Sequence, residues 1–500
     1  MFEFLRDFTG NPAYVAVPNH RATTAHLRSV YPFMATPDLG SRGIYIGNEM
    51  LGSSFCFDPW ELYTQGLLTN PNMLVIGQVG RGKSSLVKTL VLRGQVFGRK
   101  AAIIDPKGEY FDLAQALGVP VLSIAPGGRV RLNPLDPGPS MGEIDPAEIF
   151  RRQNSLLQSI ISASMERELD AEERTACELA LNECLHLKQG VPTLPDIVEL
   201  MLYPSEASAK KINTTPESLA ANSREAALEL RRMCEGDLKG MFDGETNVDI
   251  DWNGPAIILD LSAVFASSAL GLLMTCAMSF MQSVISRPDT TKRFLIIDEA
   301  WAVLKDVRVA RWLQQSYKMS RAYGVSNVAV MHRISDLKAT GAEGSEAYNL
   351  ALGMLSDTET RVIYNQPSSE VELATSMLKL SRAEAEMLPM LGVGQAIWRV
   401  GGTPHLVQHQ LGNIEWDIVN TDQAMVTSTS KNERLAGRGY EQDHAERATG
   451  EVLEPIIGYQ PPTQDEPTVA PNQPEVMPDS QSAEPSPKFD FSDPQNDTQQ

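Results

Sequence analysis

The sequence predicts an α/β protein: a doubly wound, mostly parallel sheet, interrupted by an all-helical subdomain and followed by a disordered C-terminal tail. Three observations carry this expectation. Short apolar runs recur at 73–77 (MLVIG), 101–105 (AAIID), 119–125 (VPVLSIA), 256–262 (AIILDLS), 293–299 (RFLIIDE) and 326–332 (SNVAVMH). They are too short for helices and continuous rather than alternating, as strands covered on both faces must be. Segments with helical spacing, such as SSLVKTLVLRGQVFG at 84–98, stand between strands and produce strand–helix–strand units. Residues 141–241, by contrast, read as charged, Ala- and Leu-rich helical stretches with no strand-like run.

In chain order, residues 1–70 contain RGIYIGNEMLGSSFCFDPW, a β-hairpin pattern with a Gly-containing turn, suited to cap the core or to meet another subunit. Residues 71–140 supply the first part of the α/β domain, 141–241 the helical insertion, and 242–424 the second part of that domain. From 425 to 500 apolar periodicity is lost, and ten of the 32 prolines fall between Glu441 and Gln500, so this acidic stretch is expected to be disordered. The uncharged run Ala263–Ser286 is long enough to span a bilayer. Its five serines, and its place between two strands of one sheet, favour a buried helix instead.

Composition narrows the functional class. With 42% hydrophobic and 21% charged residues the chain is neither fibrous nor wholly disordered. The formal charge is −20, but 13 acids against 2 bases lie in 441–500, so the body is only mildly acidic. Bulk charge therefore argues against a nucleic-acid coat, and any DNA contact must be focal. Five scattered cysteines, Cys56, Cys177, Cys184, Cys234 and Cys276, are too few and odd in number for a disulfide framework, which fits a reducing cytoplasm. The opening MFEFLRDFTGNPAY lacks a basic segment followed by an apolar run, so no secretory signal is expected.

The sharpest pattern is Gly77-Gln-Val-Gly80-Arg81-Gly82-Lys83-Ser84, in which a strand ends at the first glycine and a helix begins at the lysine. Glycines let backbone N–H groups turn inward around phosphates, and the following helix aims its positive end at the same place. The candidate nucleotide-binding residues are Gly77, Gly80, Arg81, Gly82, Lys83, Ser84 and Ser85, with Lys83 neutralising the β/γ oxygens of ATP and the Ser84 hydroxyl ligating Mg²⁺. The second half is FLIIDE, which places Asp298 to hold Mg²⁺ through water and Glu299 to polarise the attacking water. An Asp-Glu pair also ends many ordinary buried strands, so this motif gains its meaning from the phosphate loop. One strand later His332 stands where a polar group can sense the terminal phosphate, though a plain strand-terminal histidine fits the pattern equally. His405 and His409 have no metal-ligand company and read as structural.

These residues, together with IIDPKGEY at 103–110, RLNPLD at 131–136, MFDGETNVDID at 241–251, LIIDEAW at 295–301 and SRAYGVSNVAVMHRISDL at 320–337, resemble the HerA/FtsK-like pumping ATPases. Within that group they are most similar to the VirB4/TraC-type ATPases of conjugation and type IV secretion, with the TraG/VirD4 coupling proteins as further relatives. The resemblance covers about 70–420 and implies a P-loop NTPase (RecA-like) fold, ATP and Mg²⁺ as ligands, and assembly into a homo-oligomeric ring, a hexamer by the family's habit. It implies that Arg321 reaches a neighbouring subunit's site. His332 departs from the glutamine usual at its position, while Asp105 and Glu109 could tune the site without catalytic roles. The implied function is a VirB4-like motor that hydrolyses ATP to power conjugative DNA transfer or type IV secretion. Its expected place is cytoplasmic, peripheral at the inner face of the cell membrane, touching the membrane only through channel partners. Only about seventy residues precede the motor, with no membrane span among them, which suggests a shortened VirB4-like chain. The alternatives are a HerA/FtsK-like DNA translocase not tied to secretion and a non-hydrolysing scaffold, against which Lys83, Asp298 and Glu299 argue.

Overall fold

A computed structural model describes residues 39–50, 52–138, 145–165, 167–188, 190–267, 270–285, 290–300, 304, 307–338 and 344–419. The tail expected to be disordered, 425–500, and residues 1–38 lie outside the described residues.

The strands are β1 (Ile44–Glu49), β2 (Ser54–Phe57), β3 (Met73–Ile76), β4 (Lys100–Asp105), β5 (Val121–Ser123), β6 (Ala256–Asp260), β7 (Arg293–Ile297), β8 (Val325–Met331), β9 (Thr360–Tyr364), β10 (Gln395–Val400) and β11 (Thr403–His409). They form one sheet in the order β2-β1-β11-β10-β9-β3-β8-β7-β4-β6-β5. Every pairing from β9 to β5 is parallel. The other four strands extend the β9 edge antiparallel. This is the doubly wound, mostly parallel α/β sheet that the apolar runs predict, with an antiparallel flank.

Alternation within the buried strands feeds two separate cores. Leu74 and Ile76 of β3 join Ile104, Leu259, Leu295 and Ile297 on one face. Met73 and Val75 join Ile103, Ile258, Ile296 and Val328 on the other. The helix Lys83–Gly94 lays Leu86, Val87, Leu90 and Val91 on this second face. Burying both faces favours apolar side chains, and all four side chains of β3 are buried and apolar.

Between β5 and β6 the regular elements among the described residues are all helices: Pro146–Met165, Ala171–Leu187, Leu194–Leu202, Glu206–Lys211, Pro216–Asn222 and Arg224–Glu235. Asp170 starts the second of them through a capping box, accepting from the N–H of Glu172 and Glu173 while Glu173 accepts from the N–H of Asp170. Leu157, Ile161, Leu181, Ile197 and Leu230 of these helices share the first core with the sheet. These helices therefore pack as part of the sheet's own covering layer. The uncharged run forms the helix Leu270–Ile285, and its buried Leu273, Cys276, Phe280 and Val284 join the same core. No helix among the described residues is long and apolar enough to cross a membrane.

The hairpin β1–β2 is tied to the sheet by polar anchors as well as by pairing. Asp58 caps the helix Pro59–Thr64 through the N–H groups of Trp60 and Glu61 and pairs with Arg99 Nε at 2.9 Å. Arg93 reaches Gln410 O at 2.7 Å, Glu415 at 2.6 Å and the carbonyl of Tyr45.

Candidate nucleotide-binding site

Parallel strands aim their C-terminal ends at one edge of a sheet, and ligands of such folds gather there. At that edge β3 delivers the loop 77–82, β8 delivers His332, β7 delivers Asp298 and Glu299, and β4 delivers the turn 105–110. β8 lies between β3 and β7, so the acidic pair faces the loop across one intervening strand.

The loop is glycine-dependent at defined places. A Cβ on Gly77 would lie 2.3 Å from Cβ of Tyr364, so the close approach of β3 and β9 excludes any side chain there. Gly82 caps the helix Lys83–Gly94 with φ 101°, a left-handed conformation costly for other residues. Three backbone bonds hold the loop from outside: Gly77 N–H donates to Met331 O at 3.3 Å, Gln78 N–H to Asn365 O at 3.1 Å, and Gly394 N–H to Arg81 O at 3.0 Å. Arg81 donates to Gln78 Oε1 at 3.3 Å. Ser84 and Ser85 occupy the first turn of the helix, where N–H groups lack intrahelical partners. The Ser85 hydroxyl donates to Val419 O at 3.3 Å, so only its backbone N–H is left to the loop.

Lys83 is 4% exposed, and its ammonium donates to Gln78 O at 2.8 Å. Burial lowers its pKa to about 8, against the opposing pull of Asp298 and Glu299. A buried ammonium resting on a loop carbonyl is a group waiting for an anion.

Asp298 and Glu299 are 4% and 2% exposed. Asp298 accepts from the Tyr110 hydroxyl at 3.1 Å and the Glu299 N–H at 2.9 Å, and burial, with Glu109 and Glu299 nearby, raises its pKa to about 6. Glu299 is one of the few non-glycine residues with positive φ, at 53°. Its side chain meets His332 after β8 and Lys107 after β4. Glu299 Oε1 lies 2.5 Å from His332 Nε2 and pairs with the Lys107 ammonium. Burial raises the proton affinity of Glu299, yet the hydrogen bonds from His332 and Lys107 outweigh it and hold the pKa at about 2. Nδ1 of His332 is buried with no hydrogen-bond partner.

Two contributors escape the motif reading. Lys107 stands in the turn after β4, where the pattern DPKGEY drew attention to Asp105 and Glu109 instead. Tyr110, wholly buried, bridges two strand ends by donating its N–H to Asp105 at 3.0 Å and its hydroxyl to Asp298. A lysine beside a strand-end acid of the same sheet was the only available signal.

Arg321 is exposed on the helix Val307–Tyr323, which enters β8 from the opposite edge. The seven residues of β8 separate it from the loop edge by about 23 Å. Arg321 therefore cannot serve the site of its own chain. His405 Nδ1 pairs with Glu49 at 2.6 Å in the core, and burial, with Arg93 nearby, lowers the pKa of His409 to about 4. No group of three or more His, Cys, Asp or Glu among the described residues could hold a metal ion. Ser84 and Asp298 offer the hard oxygen donors that suit Mg²⁺, which takes few protein ligands and completes its shell with phosphates and water.

Residues 64–231 match a family described as an AAA-like domain. Protein TraC of Escherichia coli is 21% identical over 345 residues, which are 66% of this chain and 37% of TraC. The chain thus spans little more than a third of the length of that curated relative. The structure of VirB4 of Thermoanaerobacter pseudethanolicus is similar at a TM-score of 0.61 and 22% identity, covering 76% of this chain and all of that one. An unbound form of the bacterial conjugative coupling protein TrwB, lacking 70 N-terminal residues, aligns at 0.50 and 16% identity over 75% of this chain and 90% of its own.

Proposed function

We propose that this chain, which resembles the VirB4/TraC-type P-loop ATPases in motif and fold, binds Mg–ATP at the loop 77–84 and hydrolyses it to drive conjugative DNA transfer or type IV secretion. The observation that carries this reading is the convergence of Lys83 and the pair Asp298–Glu299 on one edge of the sheet. Lys83 would leave Gln78 O for phosphate oxygens, where a desolvated ammonium is worth most. Ser84 and Asp298 would hold Mg²⁺, which neutralises phosphate charge when bound. Glu299, kept ionised by its donors, would orient and polarise water, and His332 beside it would report the occupant of the terminal phosphate position to the rest of β8.

Arg321 would act in the site of an adjoining copy, which makes a ring, hexameric by family habit, a condition of turnover. Channel partners would then bring the ring to the membrane, and DNA would meet it at focal basic positions. Residues 141–241 would serve as an inserted helical subdomain between the two parts of the motor, 71–140 and 242–424.

Labelled ATP binding and steady-state hydrolysis by the purified chain, with and without single- and double-stranded DNA, test the reading. Lys83→Ala should abolish binding. Glu299→Gln should bind ATP and turn over on the order of a hundredfold slower, and normal turnover would remove Glu299 from the mechanism. Stimulation by DNA would mark a pump that grips DNA itself; slow turnover regardless of DNA would mark a motor dependent on its channel.

A further inference from the structure

The turn after β4 is rigid for a simple reason. The carboxylate of Asp105, 1% exposed, accepts three backbone N–H bonds, from Lys107 at 3.0 Å, Gly108 at 2.7 Å and Tyr110 at 3.0 Å. Lys107 leaves this fixed turn toward the neighbouring strand ends. Its ammonium pairs with Glu299 Oε1 and lies 3.1 Å from His332 Nε2. Its side chain is 33% exposed while that of Glu299 is 2% exposed, so the cation stands at the mouth and the acid behind it. Lys107 is also near enough to Lys83 for repulsion between them to lower the latter's proton affinity. An anion seated between the loop and Asp298–Glu299 would meet both lysines.

We propose that Lys107 is a second cation for the terminal phosphate of the bound nucleotide, parked on Glu299 until that phosphate arrives. This rests on the nucleotide reading above. In the structure Oε1 of Glu299 is engaged by both Lys107 and His332. A triphosphate competes for the ammonium with three oxygens and a larger charge. Transfer of Lys107 to it removes one of the two cation or imidazole partners of Glu299 Oε1. A diphosphate has no group at that position, so the lysine–glutamate pair persists. The contact thereby distinguishes the two nucleotides through a differential interaction.

Titration of the full chain with fluorescently labelled ATP and ADP, in the presence of Mg²⁺, separates the outcomes. Lys107→Met should weaken ATP on the order of tenfold while ADP stays within about twofold, the loss of one charge-assisted hydrogen bond. Lys107→Arg should recover most of the ATP affinity. Equal losses for both nucleotides, or no loss for either, would overturn the proposal while leaving the nucleotide reading intact. A wild-type chain that binds neither nucleotide would overturn the reading and the proposal together.

Discussion

Glu299 Oε1 and His332 Nε2 are 2.5 Å apart, so the ends of β7 and β8 are joined by a hydrogen bond between two side chains rather than by backbone alone. The imidazole supplies a donor to an acid that burial would otherwise tend to protonate. His332→Ala should lower turnover by about tenfold with ATP affinity unchanged, and His332→Gln, which keeps a donor, should restore most of it. Steady-state kinetics beside equilibrium binding decides the point; equal loss in both variants would exclude the hydrogen bond as the cause.

Asp298 carries the opposite electrostatic sign. Its folded pKa, about 6, lies above the ordinary 3.8, so the folded state holds its proton more tightly, and stability is lost as pH rises through that window. Asp298→Asn, which relieves this buried charge, should therefore raise Tm by about 1–3 °C at pH 7.5 without divalent cation. The gain should shrink to roughly half near pH 5, where the unfolded carboxyl is still ionised and the folded one is mostly protonated, and Mg²⁺-dependent hydrolysis should be lost. Thermal melts at the two pH values check it.

Gly77 and Gly80 should respond differently to alanine. At Gly77 the new methyl meets Tyr364 Cβ at 2.3 Å, and about 1–3 kcal/mol of stability should be lost as β3 and β9 part. At Gly80 a Cβ has open space within 4 Å, so only the cost of φ 74° remains, about 1 kcal/mol. Denaturant titration distinguishes the two.

Arg321 sits at the edge of the sheet remote from its own loop, and so predicts complementation between subunits. Arg321→Ala and Glu299→Gln should each be nearly inactive alone yet bind ATP. Mixing them should recover part of the turnover, because some sites then combine an intact Glu299 with a neighbour's intact Arg321. A mixture no more active than its components would refute action across subunits.

Six of the seven parallel strands were legible in the sequence because strands covered on both faces are largely apolar, so AAIID, AIILD and FLII announce themselves, whereas β9, with Thr360 and Arg361, did not. Of the antiparallel flank, the hairpin β1–β2 was legible, but its attachment to the sheet was not. β1 pairs with β11, Gly47 opposite His409, and no local pattern encodes a partner more than 350 residues away. The apolar run at 119–125 yields only the short β5, Val121–Ser123, because an edge strand has one partner and ends where pairing ends.

The candidate site divides the same way. The pattern from Gly77 to Ser84 is local, since a chain turning around an anion needs glycines and a helix start within a few residues, and sequence alone determines where that turn falls. The company of Glu299 is not local. Lys107, Tyr110 and His332 reach the acidic pair because β4 and β8 flank β7, and strand order is settled by how the helices and both cores pack. Which side chains share a site across three strand ends was decided only by the tertiary structure.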